Sequence, residues 1–267
     1  MMFKEMLSYY NLSQLPFSKE IKTSQLHQLP TVEKALLSAK LLVETKGIGI
    51  MTGKSGSGKS CILRLLKEHL NPVPYKVVYI CHSSIGVYEF YTHLAAALGI
   101  PPRGRRSTMF RDIKERILFL NNSQKAHPVL LLDEAHMLNY DILQEIRLLT
   151  NFEIDSVNAL TVCLCGQESL VQKFGLSILE SLANSITITI QIGNLPREET
   201  YSFIEKRIHD CGNSSSLYTK GALALIHQAS AGIFRSIGLI AQAALHKAFL
   251  SKAGQVEAEH VKAVIER

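Results

Sequence analysis

The chain has 267 residues, 46% of them hydrophobic and 19% charged. That is enough apolar content for one sizeable core and a smaller satellite, and it excludes a disordered composition. Lys and Arg number 29 against 23 Asp and Glu, a net charge of +6 that is compatible with a polyanionic partner without pointing to one.

In chain order, the residues before about Leu29 read as a polar arm with Pro16–Phe17 as its apolar anchor. Met1–Tyr10 lacks the apolar stretch of a signal peptide. Gly47–Gly53 is a short apolar strand ending in glycine, and Lys59–Leu70 has helical spacing in Ile62, Leu63, Leu65 and Leu66. Tyr75–Cys81 is β-rich. Val87–Leu98 reads as a helix stopped by Gly99 and Pro101, and Arg111–Leu120 as another. Pro128–Asp133 is a continuous apolar run, as expected of a strand buried on both faces. Ile142–Leu149 is helical, Ala159–Cys165 strand-like, and Ile186–Ile192 alternates with β-branched residues as a strand does. Beyond Pro196 only helices are predicted: Arg197–Cys211, Thr219–Ala229, Arg235–Phe249 and Ala258–Glu266.

Alternating strands and helices followed by helices alone imply an α/β protein. The expected parts are an arm at 1–29, a three-layer αβα domain with a parallel sheet at 30–194, and a small all-helical lid at 195–267. No run of about 18 apolar residues occurs, so no membrane-spanning helix is predicted. Cys61, Cys81, Cys163, Cys165 and Cys211 are odd in number and scattered. Cys163 and Cys165 read as small core residues rather than metal ligands, and reduced thiols fit a cytoplasmic protein.

The sharpest local pattern is Gly53-Lys54-Ser55-Gly56-Ser57-Gly58-Lys59-Ser60, a match to G-x-x-x-x-G-K-[ST] between a strand and a helix. Glycines let the backbone curl so that successive N–H groups cradle phosphate oxygens, and the helix that follows, beginning Lys59-Ser60-Cys61, adds its positive dipole end. Lys59 would reach the β- and γ-phosphates and the Ser60 hydroxyl would hold Mg²⁺. The expected ligand is ATP with Mg²⁺.

Leu130-Leu131-Leu132-Asp133-Glu134 is an apolar strand ending in two carboxylates. Parallel sheets present ligands at the C-terminal ends of their strands, which puts Asp133 beside the phosphate loop as a magnesium ligand, direct or through water. Glu134 is then placed to polarise the attacking water. Gln167 ends the following strand, either as a sensor of the γ-phosphate or as an ordinary helix-capping glutamine. Arg235 begins a helix in the predicted lid, either as a cation that reaches the phosphates or as a solvated surface residue.

With these motifs in this order the chain resembles the AAA+ ATPases, and within them the ExeA-like group that includes the transposition regulators TnsC and TniB. Leu15-Pro16-Phe17-Ser18, Leu132–His136, Glu145–Asn151, Gly166–Leu170 and Leu195-Pro196 with Glu199, Thr200, Ile204 and Arg207 carry the resemblance across nearly the whole chain. It implies a sheet ordered 5-1-4-3-2, a lid, and nucleotide held between subunits of a homo-oligomeric ring or helical filament. It also implies that Pro16–Phe17 pack near the base. One departure stands out. Relatives carry an arginine finger just before the last strand, where this chain has Ser185, so either another cation substitutes, with Arg147 or Lys173 as candidates, or hydrolysis is slow.

Ile100–Thr108 places Arg103, Arg105 and Arg106 in a Pro/Gly loop, with Thr108 at its end and Arg111 on the next helix. Such a loop is either a clamp for the phosphates of double-stranded DNA or a solvated basic loop. His82-Ser83-Ser84 is a second candidate contact. The expected function is an ATP-dependent, DNA-binding regulator of transposition that oligomerises on duplex DNA and recruits a transposase. The alternatives are an ExeA-like secretion or envelope-assembly ATPase and a replication initiator or loader, which usually carry further segments.

Overall fold

The structure, a computed structural model, describes residues 2–18, 23, 29–81 and 86–266. His82-Ser83-Ser84 lies outside the described residues. The chain divides into two compact units, one comprising Lys34–Ser55 and Lys59–Ile192 and the other Met1–Glu33, Gly56–Gly58 and Gly193–Arg267.

The first unit is built on five parallel strands: β1 (Ile48–Gly53), β2 (Tyr75–Ile80), β3 (His127–Leu132), β4 (Thr161–Gly166) and β5 (Ile186–Ile192). Their order is β2-β3-β4-β1-β5, the order that the resemblance implied. Every residue of β1, β3 and β4 is buried, which is why these central strands read as unbroken apolar runs. The edge strands β2 and β5 alternate exposed with covered residues. Helices α2 (Pro30–Thr45), α3 (Lys59–His69), α4 (Val87–Ala97), α5 (Arg106–Asn122) and α6 (Tyr140–Thr150) cover the sheet in a three-layer arrangement. One continuous core joins Ile50, Leu130 and Leu164 of the sheet to Phe90, Ile113 and Ile146 of the helices.

The register positions the chemistry. Leu132 of β3 lies level with Leu164 of β4, and Thr52 of β1 with Gly166 of β4. Because β4 lies between β1 and β3, the residue after β4 emerges between the loop after β1 and the acids after β3.

Several helices escaped the sequence reading, two of them before β1. The arm contains α1 (Met2–Tyr9), and α2 buries Val32, Ala35, Leu36, Ala39, Leu42 and Val43 along one stripe. A third helix is longer than expected: α5 begins at Arg106, not Arg111. Pro101, Pro102 and a left-handed Gly104 (φ 80°) confine the irregular loop to the residues before it, so Arg106 and Thr108 are helical.

The second unit is helical. It contains α1, α9 (Arg197–Asp210), α10 (Lys220–Ser230), α11 (Phe234–Leu250) and α12 (Ala258–Ile265), after the short α7 (Ser169–Phe174) and α8 (Glu180–Ala183) that precede β5 in the first unit. Arm residues are tied into it by specific bonds. Tyr10 donates to the Ala253 carbonyl at 2.9 Å, and the 2%-exposed Arg207 donates from Nε to the Pro16 carbonyl at 2.7 Å. Gly232 has φ 72°, and a Cβ there would lie 2.2 Å from the Leu195 carbonyl oxygen. A glycine is required at this crossing.

One buried polar group fixes a strand end. His127, at the start of β3, has Nδ1 2.8 Å from Asn121 Oδ1 and Nε2 2.9 Å from Thr161 Oγ1. Burial, and then the charge of Lys46, push its pKa down to about 4. The folded imidazole is therefore neutral where the unfolded one, with an ordinary pKa near 6.5, takes up a proton. Stability contributed above pH 6.5 is lost as pH falls towards 4. With discount for partial screening the loss should reach about 2 kcal/mol. Denaturant melts of wild type and His127→Gln between pH 7 and 4 should show a steeper decline in wild type, and parallel curves would remove His127 as the cause.

Candidate functional site

The phosphate loop leaves β1 at Gly53 and enters α3 at Lys59. Gly56 and Gly58 stand at φ 80° and 95°, so the curl uses conformations that side chains resist. The loop is ordered by its own lysine. Lys59 is 5% exposed, and its ammonium donates to the Gly53 carbonyl at 2.8 Å and the Lys54 carbonyl at 2.9 Å. These neutral acceptors hold a buried cation in place, and an anionic phosphate would bind it more strongly. Ser57 is 2% exposed and its Oγ has no hydrogen-bond partner among the described residues, an orphan polar atom inside the curl. Lys54, Ser55, Ser60 and Cys61 are exposed.

Asp133 is 4% exposed and collects donors from three elements. Ser60 Oγ donates to its Oδ2 at 2.9 Å, and Tyr79 Oη donates to the same oxygen at 3.0 Å. The amide of Glu134 donates to Oδ1 at 2.9 Å. The Ser60–Asp133 bond joins the phosphate loop to the acidic strand across β4. A hydroxyl and a carboxylate meeting at the mouth of a phosphate loop fit Mg²⁺, a hard cation that takes oxygen ligands and keeps several waters. Tyr79 was not anticipated. Burial first, then Cys81 and Asp133, push its phenol well above the ordinary range, so it stays a donor at neutral pH.

Glu134 follows in the left-handed region, φ 54° and ψ 33°, a strained state for a residue with a Cβ. The carboxylate is 43% exposed on its side chain, and its Oε2 lies 3.4 Å from His136 Nδ1. The amide of Gln167 points at the same His136 nitrogen at 3.4 Å. Gln167 thus stands between the phosphate loop and the acids, as the strand order dictates.

In the helical unit, the amide of Arg235 donates to the Gly56 carbonyl at 3.1 Å, and a Cβ on Gly56 would lie 2.6 Å from the Arg235 Cβ. A Cβ on Gly58 would sit 3.4 Å from the Phe234 ring. Phe234 packs edge-on against Phe203, with centroids 5.3 Å apart, and Phe203 faces Phe17 at 6.3 Å. Phe17 therefore begins an aromatic series that ends at the crown of the phosphate loop.

The basic loop divides. Arg103 and Arg105 are exposed, whereas Arg106 ion-pairs with Glu145 of α6, which also accepts from the buried Tyr91 hydroxyl. Burial pushes the Tyr91 phenol up to about 12, against the lowering effect of Arg106. Arg111 is tied to Asp112 at 3.2 Å and Glu115 at 3.7 Å. Arg105, Arg106, Ser107, Phe110, Glu145 and Leu148 line a cleft of about 530 Å³.

Neither candidate for a substitute finger projects into solvent as an uncommitted cation. Arg147 forms a double ion pair with Asp155, at 2.6 and 3.2 Å, and Lys173 donates to the Leu138 carbonyl at 2.7 Å. Ser185 bonds the Ser181 carbonyl at 2.8 Å. Cys163 and Cys165 are buried in β4. Among the described residues no helix is long and apolar enough to cross a membrane.

Residues 42–174 match the AAA domain family, and the chain carries an AAA+ ATPase domain. General secretion pathway protein A of Aeromonas hydrophila is 29% identical over 243 residues, 90% of this chain. The chain spans only 44% of that relative's length. Two archaeal structures share the fold. Cdc6p from Pyrobaculum aerophilum has a TM-score of 0.68 and 18% identity over 94% of this chain and 70% of that one. The Aeropyrum pernix ORC1 protein in complex with DNA has a TM-score of 0.69 and 17% identity over 93% of this chain and 67% of that one. The Thermotoga maritima RuvB Holliday junction branch migration motor follows at 0.55 and 16% identity, over 95% and 73%.

Proposed function

We propose that this ATPase is the nucleotide-switched part of a protein-export or envelope-assembly apparatus. The observation that carries the export assignment is the 29% identity with general secretion pathway protein A over nine-tenths of this chain. ATP with Mg²⁺ is the working ligand. Lys59 and the loop amides would bind the phosphates, Ser60 and Asp133 would hold the metal, and Glu134 would take the proton of the attacking water. When bound, magnesium would neutralise charge on the phosphates. Gln167 would contact the γ-phosphate, and Arg235, in the lid formed by residues 195–267, would approach it as a cation. The ATP-bound chain associates head to tail with its copies, and a ring and a helix both use such a contact.

Hydrolysis is slow in this reading, because Ser185 offers no guanidinium and Arg147 and Lys173 are committed within their own subunit. Dependence on ATP and an odd number of scattered cysteines that read as reduced thiols support a cytoplasmic location for this part of the protein. Disrupting the coding sequence in its source organism should block export of secreted proteins, and unchanged export would overturn the assignment.

A second reading is a DNA-bound regulator of the TnsC and TniB type that recruits a transposase. The exposed Arg103 and Arg105 beside the 530 Å³ cleft favour it. Duplex DNA binding by wild type and Arg103→Glu/Arg105→Glu, at low salt with ATP, ADP or a non-hydrolysable analogue, separates the two. Export predicts no ATP-dependent binding. Binding in ATP that falls at least about tenfold in the double variant would transfer the assignment to the second reading.

A further inference from the structure

We propose that Tyr79 is a positioning residue for the magnesium-binding carboxylate, holding Asp133 in the orientation that the Mg²⁺–nucleotide complex requires. The proposal deepens the nucleotide reading above and rests on it.

Asp133 is 4% exposed, and among the described residues no Lys, Arg or His nitrogen lies within ion-pair distance of it. A buried carboxylate without a cation depends on neutral donors. Ser60 Oγ, Tyr79 Oη and the Glu134 amide donate to it, and the buried Cys165 thiol adds a weaker donor. Ser60 is itself a proposed metal ligand, so its hydroxyl has a second task at the site. The Glu134 amide moves with the carboxylate's own backbone. Tyr79 is the remaining strong donor, and it comes from a neighbouring strand. It pairs with Leu131 in the sheet register, so the ring spans the two-residue offset to Asp133.

Tyr79 stands on an edge strand. It is 46% exposed in β2, a position that packing does not demand. A hydroxyl at the ring's end, bonded to a metal-facing carboxylate, gives a reason for that side chain. Partners that orient metal ligands typically alter metal affinity about 10–100-fold when removed.

The test is a Mg²⁺ titration of binding to a fluorescent ATP analogue, with a parallel titration in EDTA. In Tyr79→Phe, which keeps the ring, the Mg²⁺ concentration for half-saturation should rise about tenfold. Nucleotide affinity in EDTA and the melting temperature should not change. In an Asp133→Asn background, Tyr79→Phe should add no further shift, because the hydroxyl acts through that carboxylate. An unchanged Mg²⁺ requirement, an equal loss in EDTA, or an additive effect in the double variant would each overturn the proposal. Wild-type binding with no Mg²⁺ dependence would instead overturn the magnesium assignment beneath it, and no binding at all would overturn the nucleotide reading.

Discussion

Glu134→Gln is expected to lower steady-state ATP turnover by about two to three orders of magnitude while leaving ATP affinity within about threefold of wild type. The amide cannot take a proton from the attacking water, and general-base catalysis is worth about 10²–10⁴. Binding should survive because the hydrogen bonds of Lys59 and Ser60 run to Gly53, Lys54 and Asp133 rather than to the Glu134 carboxylate. Its amide still donates to Asp133, and glutamine keeps the size of the side chain. Among the described residues, the ionisable side chain within 4 Å of its carboxylate is His136, at 3.4 Å. That nitrogen also faces the backbone amide of Gln167, at 3.4 Å. Phosphate release and equilibrium nucleotide binding, measured on the same preparation, decide the matter. Turnover within about threefold of wild type would strip Glu134 of its role.

Lys59→Ala should abolish binding, with ATP affinity down about 100-fold or more. Charge-assisted hydrogen bonds to phosphate contribute about 1.5–3 kcal/mol each, and Lys59 is the buried cation within the curl. The effect has a second readout. A ligand present at about 100 times its Kd stabilises the fold by about 2.7 kcal/mol, so Mg²⁺–ATP should raise the wild-type melting temperature and leave the variant's unchanged. The free variant should melt slightly lower than wild type, since the Gly53 and Lys54 carbonyls lose their donor. An ATP-induced shift that persists in Lys59→Ala would place the ligand elsewhere.

Local patterns carried most of the fold. The buried runs at β1, β3 and β4 and the alternation of β5 were legible because each strand's environment is uniform along its length. The phosphate loop was legible because its glycine positions and φ angles are set by the turn itself. The helix α2 was not, although its apolar stripe repeats at three and four residues, because alanines make up part of it. The true start of α5 was hidden for a different reason. Arg106 reads as a solvated cation until Glu145, 39 residues later, is folded against it. Tyr79 and Asp133 are likewise 54 residues apart, and only the pairing of β2 with β3 brings them together. What the sequence withheld was therefore mainly long-range polar pairing.

The basic loop shows the same limit. Five residues there suggested a phosphate clamp, yet Arg106 and Arg111 have acidic partners within the chain. Arg103 and Arg105 are exposed, and the second reading rests on them.

The left-handed backbone at Glu134 matters for anyone seeking a sturdier version of this protein. A screen that ranks positions by conformational cost would choose residue 134 early, since φ 54° is a state that glycine adopts freely and glutamate does not. Glycine there should raise the melting point by relieving a strain of order 1 kcal/mol. It would also delete the carboxylate to which we assign the proton of the attacking water. On that assignment thermostability and catalysis compete at a single residue, and stabilising effort is better directed at the surface helices.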